Sequence, residues 1–199
     1  GPVLLDIPLN IQKADIDPNK LHGFDPERAT MKYNIDEVDS QIEQIINDFA
    51  NAKRPVIMVG MGVRIADASD ELRELGEMLN VPVYPTWNAL DVVTSDYKQY
   101  GGRIGTYGGA GRNFGIQNSD LLLAIGSRIS GRITGGNIHS FAREAKKIVV
   151  DVDQSLLQKK LQQVPFDVNI LCDAKIFLQR MINRLRELEE KSKLPNFSL

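Results

Sequence analysis

Short, unbroken apolar runs constrain this chain more than any other feature. PVIMV at 55–59, VPVYPT at 81–86, LLLAI at 121–125 and the KIVV of KIVVDVD at 147–153 carry no regular polar alternation, and a further run lies near 168–171. Runs of that kind read as strands buried on both faces, as in a parallel sheet covered by helices. Between them the apolar spacing becomes helical. Ile35, Val38, Ile42, Ile45, Ile46 and Phe49 share one face, with Asn34 placed to cap it. Leu72, Leu75, Met78 and Leu79 mark a helix over about 67–79, and Ile176, Phe177, Met181, Ile182, Leu185 and Leu188 mark a long one over 173–190. Shorter helices are expected near 139–145 and 154–161. The alternation predicts an α/β fold: a doubly wound, mostly parallel sheet with helices on both faces and right-handed crossovers. No repeat of solenoid period is present.

The 199 residues suffice for one domain with a substantial core. With 24 basic and 26 acidic residues, nothing argues for nucleic acid or an anionic membrane as partner. No apolar run approaches the roughly 20 residues that span a bilayer. The single Cys172 excludes an internal disulfide framework and points to a reducing, cytoplasmic setting. Two separated histidines, His22 and His139, and one cysteine do not make a zinc site. The opening GPVLLDIPLN has neither an initiator Met nor a signal-peptide layout, and it reads as the last strand of something that precedes it. The expected organisation is therefore the end of a preceding domain over 1–9, a polar, proline-punctuated linker over 10–34, a central domain over 35–191, and a frayed tail over 192–199.

In an open α/β sheet, ligands sit outside the carboxyl ends of the strands. Gly60-Met61-Gly62 follows 55–59, where glycines let backbone approach a phosphate and turn into a helix whose N-terminus favours anions. The full dinucleotide fingerprint is absent. Its sixth position is Ile65, and Tyr84, Pro85 and Thr86 stand where an NAD site needs an acid, which disfavours a free-standing NAD module. A purely structural turn is the alternative. A second stretch, GGRIGTYGGAGRNFG, holds seven glycines between 101 and 115. It reads either as a surface loop or as one offering backbone N–H groups and the Tyr107 ring to a flat ligand. Third, Ser127, Arg128 and Arg132 follow a buried strand amid small residues. Arginine forks suit bidentate phosphate recognition, and solvated ion pairs are the alternative. Asp151 ends KIVVD, where a carboxylate can accept from ribose hydroxyls, whereas Asp153 reads as a helix cap. No nucleophile–base pair, triad or metal cluster is evident, so no catalytic residue and no metal ligand is assigned.

Taken in order, GPVLLDIPLN, RPVIMVGMGV, VPVYPTWNALD, GTYG, SDLLLAIGSRISGRITG and KIVVDVD resemble the Rossmann-like central domain of thiamine-diphosphate-dependent enzymes, closest to acetolactate synthase and its relatives. The resemblance covers nearly the whole chain, and it is the ordered set rather than any single motif that is specific. It implies an FAD or ADP site across the strand ends. Gly60 and Gly62 would lie over the adenosine ribose and phosphates, with Thr86 and Trp87 beside the flavin at a Thr-Leu pair. Gly105, Thr106, Tyr107 and Gly108 match a Gly-Met-His-Gly loop. Ser127, Arg128 and Arg132 fall in a Gly-Ala-Arg-Phe-Asp-Asp-Arg segment, Asp151 and Val152 match an acidic–aliphatic pair near the adenine, and Asp173 matches a later acidic contact. Ser130 and Gly131 replace both aspartates of the arginine segment, and Trp87 and Tyr107 alter the flavin-side wall.

The resemblance further implies a parent enzyme that uses thiamine diphosphate and Mg²⁺, held by pyrimidine- and diphosphate-binding domains outside this chain. Such a parent would be a homodimer or homotetramer that carboligates or decarboxylates a 2-oxo acid such as pyruvate. The chain alone would not turn over. The rival reading is a non-catalytic structural spacer whose nucleotide pocket has been emptied by the changes at Ser130, Gly131 and Tyr107.

Overall fold

The computed structural model describes residues 3–25, 31–158 and 164–197. The chain divides into two compact units, Gly1–Lys32 and Tyr33–Leu199. In the first, Pro8 precedes a single helical turn, α1 (Leu9–Gln12), and a 3-10 turn follows at Pro18–Lys20, capped by the Asp17 carboxylate. The strand expected from the opening apolar residues does not form. Residues 3–8 have no regular structure, and no strand pairs with them among the described residues.

The second unit holds the sheet. Its strands are β1 (Pro55–Val59), β2 (Val83–Pro85), β3 (Leu121–Ile125), β4 (Lys146–Asp151) and β5 (Val168–Leu171). All pair in parallel, in the order β2-β1-β3-β4-β5. β1 and β3 are buried at every residue, which their unbroken apolar sequences require. Side chains leave each strand alternately. Ile57, Val59, Leu121, Leu123, Ile125, Ile148 and Val150 enter one core, while Val56, Met58, Leu122, Ala124 and Val149 enter the other. The edge beyond β2 is covered by residues 99–101, where Val83 N–H donates to the Gln99 carbonyl and Gly101 N–H to the Val83 carbonyl.

Three long helices build the first core: α2 (Ile35–Asn51), α4 (Ser69–Leu79) and α7 (Ala174–Glu190). Their apolar stripes are those read from the sequence. The Asn34 side chain accepts from Glu37 N–H to start α2, and Asn80 ends α4 in the left-handed conformation at φ 51°. Between β1 and α4 lies the short α3 (Met61–Ile65). The other face is covered by α5 (Ala110–Gln117) and by irregular segments that bury Phe141, Val164 and Phe166. α6 (Gly131–Thr134) is a single turn after β3.

Four further expectations change. The glycine-rich stretch expected to be loop throughout becomes helical from Ala110, because Ile116 is buried against the sheet and outweighs the low glycine propensity. No helix forms over 139–145; a 3-10 turn at Ile138–Ser140 gives way at Ala142, whose φ of 43° breaks helical geometry so that Phe141 and Ala145 both reach the core. The short helix expected over 154–161 is a turn at 154–157, and its end lies outside the described residues. The tail does not simply fray, since Leu194 and Phe197 rest against the first core.

Cys172 follows β5 and is fully buried, and burial pushes its thiol up to about 11 from an ordinary 9.0. The folded chain therefore holds the neutral thiol where the unfolded chain ionises. Stability is lost as pH rises from about 9 towards 11. At pH 8, labelling of Cys172 by a thiol reagent is expected to run on the order of a thousandfold slower in the native chain than in denaturant. Comparable rates would show that the end of β5 is open.

Candidate functional site

The chain leaves β1 towards β2 on one side and reaches β3 on the other, so the connections after β1 and β3 diverge. This is the topological switch point of a doubly wound sheet. Here the two strand ends meet backbone to backbone. Gly60 N–H donates to the Ile125 carbonyl, Gly62 N–H to the Gly126 carbonyl, and Gly126 N–H to the Val150 carbonyl, each at 2.9 Å. A Cβ on Gly60 would stand 2.2 Å from the Gly126 oxygen, and one on Gly62 would stand 2.6 Å from Gly126 Cα. Gly126 itself has φ 57°. The structural account of the glycine turn thus has a physical basis: glycine lets the two loops touch.

Above this contact lies a cleft of about 320 Å³. Of the residues singled out from the sequence, Gly60, Thr86, Trp87, Ser127, Arg128, Arg132 and Asp151 line it together. They come from the ends of β1, β2, β3 and β4, which the sheet order brings side by side. Ser130, which replaces an aspartate of the resembled segment, lines it as well, and Met61, Asn88, Gly126 and Ile133, which were not singled out, complete the lining. Gly126 had a usable signal, because it follows β3 as Gly60 follows β1.

The polar groups facing the cleft are largely unspent. Thr86 and Ser127 are only 6% and 4% exposed, yet neither hydroxyl has a hydrogen-bond partner among the described residues. Neither hydroxyl oxygen is sealed from solvent, so both open into the cleft. Arg128 and Arg132 likewise have no carboxylate within 4 Å among the described residues. Asp151 sits at the opposite wall, where burial raises its carboxyl above the usual range, partly offset by the N–H of Asp153 at 2.9 Å. Asp153 serves as the cap expected of it, although to a turn. Its carboxylate is held low by the Ser155 hydroxyl at 2.6 Å and the Ser155 N–H at 2.8 Å, with a smaller contribution from Arg128.

Trp87 also borders a second pocket, of about 390 Å³, with Leu90, Arg103 and Tyr107. The Trp87 and Tyr107 rings lie 4.9 Å apart at a 48° tilt. Gly105 and Thr106 line a smaller pocket of about 150 Å³ instead of the main cleft. Gly108 closes their loop through an N–H bond to the Gly105 carbonyl at 2.8 Å. Gly62 lies beneath the cleft against Gly126, and Val152, 43% exposed, is not part of its lining. Asp173 caps α7, accepting from Lys175 N–H at 2.8 Å and Ile176 N–H at 3.2 Å.

Gly60→Ala should force the two loops apart and cost about 1–3 kcal/mol, lowering Tm by several degrees. Gly131→Ala, where a Cβ meets nothing within 4 Å, should stay within about 0.5 kcal/mol of the parent in the same thermal scan. Equal Tm values for the two variants would contradict the contact.

Comparison with known proteins agrees with this geometry. Residues 42–181 match the family model described as thiamine pyrophosphate enzyme, central domain. The chain is 35% identical over 198 residues to the probable acetolactate synthase large subunit of Methanococcus aeolicus, covering 98% of this chain and 32% of that protein. It is 38% identical over 187 residues to the acetolactate synthase large subunit of Corynebacterium glutamicum, covering 92% and 28%. Against the acetolactate synthase isozyme 2 large subunit of Escherichia coli K12 it is 34% identical over 185 residues, covering 93% and 30%. The chain thus spans about a third of the length of these relatives. With the sheet order, the switch-point cleft and a family match over well over half its residues, the chain belongs to the central-domain family of thiamine pyrophosphate enzymes.

Proposed function

We propose that the chain is the nucleotide-binding central domain of an acetolactate-synthase-like enzyme acting on 2-oxo acids such as pyruvate, and that its cleft takes FAD or ADP. One observation carries the reading: among the described residues, two guanidiniums without an ion-pair partner and two hydroxyls without a hydrogen-bond partner line a single cleft at the switch point. The guanidiniums are exposed and the hydroxyls open to the cleft, so all four are free to receive an anionic, hydroxyl-rich ligand in place of water.

In this reading Arg128 and Arg132 grip the diphosphate, and Ser127 and Thr86 hydrogen-bond along it. Asp151 accepts from ribose hydroxyls, while Trp87 and Tyr107 wall the end where a flavin would lie. Gly60 and Gly62 keep the backbone low beneath the phosphates, Gly105 to Gly108 flank the aromatic wall, and Val152 and Asp173 lie towards the adenine end. Thiamine diphosphate and Mg²⁺ would be held by pyrimidine- and diphosphate-binding domains outside this chain. When bound, that cofactor supplies carbanion stabilisation. The parent would be a cytoplasmic homodimer or homotetramer, with this chain contributing no catalytic residue. The boundaries that go with it are 1–9 as the end of the preceding domain, 10–34 as linker, 35–191 as the central domain and 192–199 as the tail onward.

The spacer reading draws support from the Gly60–Gly126 contact, which explains those glycines without a ligand. On it Arg128 and Arg132 would make ion pairs within the chain or bridge to neighbouring domains, and among the described residues neither has a carboxylate within 4 Å. Titration with FAD and with ADP separates the two. Trp87 is the one tryptophan of the chain and borders the cleft, so its emission reports occupancy directly. Saturable binding is expected, weakened about tenfold or more by Arg128→Ala, as for loss of a charge-assisted hydrogen bond. Silence from both nucleotides would favour the spacer, and an Arg128→Ala chain that binds as well as the parent would sink the role given to Arg128.

A further inference from the structure

We infer that Asn113 is a positioning residue that sets the aromatic end of the cleft, a role resting on the nucleotide-binding reading above. Asn113 lies on α5, outside the cleft lining, and both ends of its amide are spent on one residue of the glycine loop. Its Oδ1 accepts from Gly105 N–H at 3.0 Å, and its Nδ2 donates to the Gly105 carbonyl at 3.1 Å. A paired amide of this kind holds the two peptide units on either side of the Gly105 Cα. Gly105 needs such a clamp. Its φ of 100° is open to glycine, whose backbone has the widest freedom to lose, and a Cβ there would stand 2.9 Å from the Arg132 carbonyl.

The clamp transmits in two directions. Next along the chain, the Thr106 N–H and Oγ1 both donate to the Arg132 carbonyl, at 3.0 and 2.9 Å. The residue after that is Tyr107, whose ring meets Trp87 at 4.9 Å and whose carbonyl accepts from Arg103 at 3.2 Å. Asn113 therefore joins α5, the turn that carries the Arg132 guanidinium, and the Trp87–Tyr107 wall into one connected unit. Loss of the clamp frees the loop at Gly105 and displaces Tyr107, while the backbone floor at Gly60 and Gly126, the fork of Arg128 and the α6 turn of Arg132, held by its own N–H bonds to the Ser130 and Gly131 carbonyls, stay in place. The consequence is selective. A ligand that reaches the aromatic wall loses affinity, and one that ends at the diphosphate does not.

The test uses the chain as it is, with Asn113→Ala and, as control, Asn118→Ala, whose amide bonds only to the Phe114 carbonyl on its own helix. Asn113→Ala should retain the far-ultraviolet spectrum of the parent, shift Trp87 emission and raise its quenching by acrylamide. FAD should bind roughly tenfold more weakly and ADP within about twofold of the parent. Asn118→Ala should change none of these. Unchanged Trp87 emission and quenching in Asn113→Ala overturn the assignment, as does an equal loss of FAD and ADP. If the parent binds neither nucleotide, the nucleotide reading fails, while emission and quenching still decide the role of Asn113. Should Asn113→Ala not fold, amide exchange in the parent decides it. The Gly105 N–H has Asn113 as its acceptor and should exchange slowly, and rapid exchange overturns the clamp.

Discussion

The site rests on how closely the ends of β1 and β3 approach. Neither Gly60, Gly62 nor Gly126 has a side chain, and two backbone hydrogen bonds of 2.9 Å close the gap that side chains would fill, while a third ties Gly126 to β4. The contact ties the diverging connections after β1 and β3 together at the switch point. It also makes the floor of the cleft from backbone. Ser127 and Arg128 emerge from that floor, and Thr86 reaches it from β2, where its N–H bonds to the Val59 carbonyl at 2.9 Å. A bulkier residue at any of the three glycines would move the strand ends, and the cleft lining would move with them.

Charge is distributed differently in the cleft and on the helical face. On α7, Arg180 meets Asp39, Arg184 meets Glu43 and Glu187, and Arg186 meets Glu74 at 2.5 Å, so that helix is tied to α2 and α4 by ion pairs. These are partly exposed pairs, worth little each, and the apolar stripe beneath them supplies most of the binding of α7 to the sheet. The chain has acids to spare, with 26 against 24 basic residues, yet among the described residues none lies within 4 Å of Arg128 or Arg132, and Asp153 feels Arg128 only at longer range. The residues between those two arginines, Ser130 and Gly131, are small and uncharged. Electrostatic demand in the cleft is thus left to be met from outside the described residues, whereas on α7 it is met within the fold.

The elements that could be read from sequence were those whose own periodicity decides them. α2 and α7 show six apolar positions each at helical spacing, and β1 and β3 are too short and too uniformly apolar to be anything but buried strands. Where tertiary contacts decide, local reading failed. Phe141 and Ala142 suggest a helix, but reaching the core from a short connection requires the positive φ of Ala142. Seven glycines suggest a loop, yet burial of Ile116 stabilises α5. Val3, Leu4 and Leu5 suggest a strand but have no neighbour to pair with among the described residues.

The same division runs through the site. Sequence alone determined which residue types stand at the strand ends, because a buried strand must stop where glycine, serine and arginine begin. It also determined the parallel, doubly wound class, since short apolar strands separated by amphipathic helices have few other ways to bury both faces. Only the tertiary structure decided which of those residues share a cleft. Gly60, Thr86, Ser127, Arg132 and Asp151 are brought together by a strand order that no local pattern encodes. The same is true of Asn113, whose amide finds Gly105 only because the loop folds back eight residues onto its own helix. Hydrogen bonds of that kind depend on the path of the chain through space, and spacing along the sequence does not specify it.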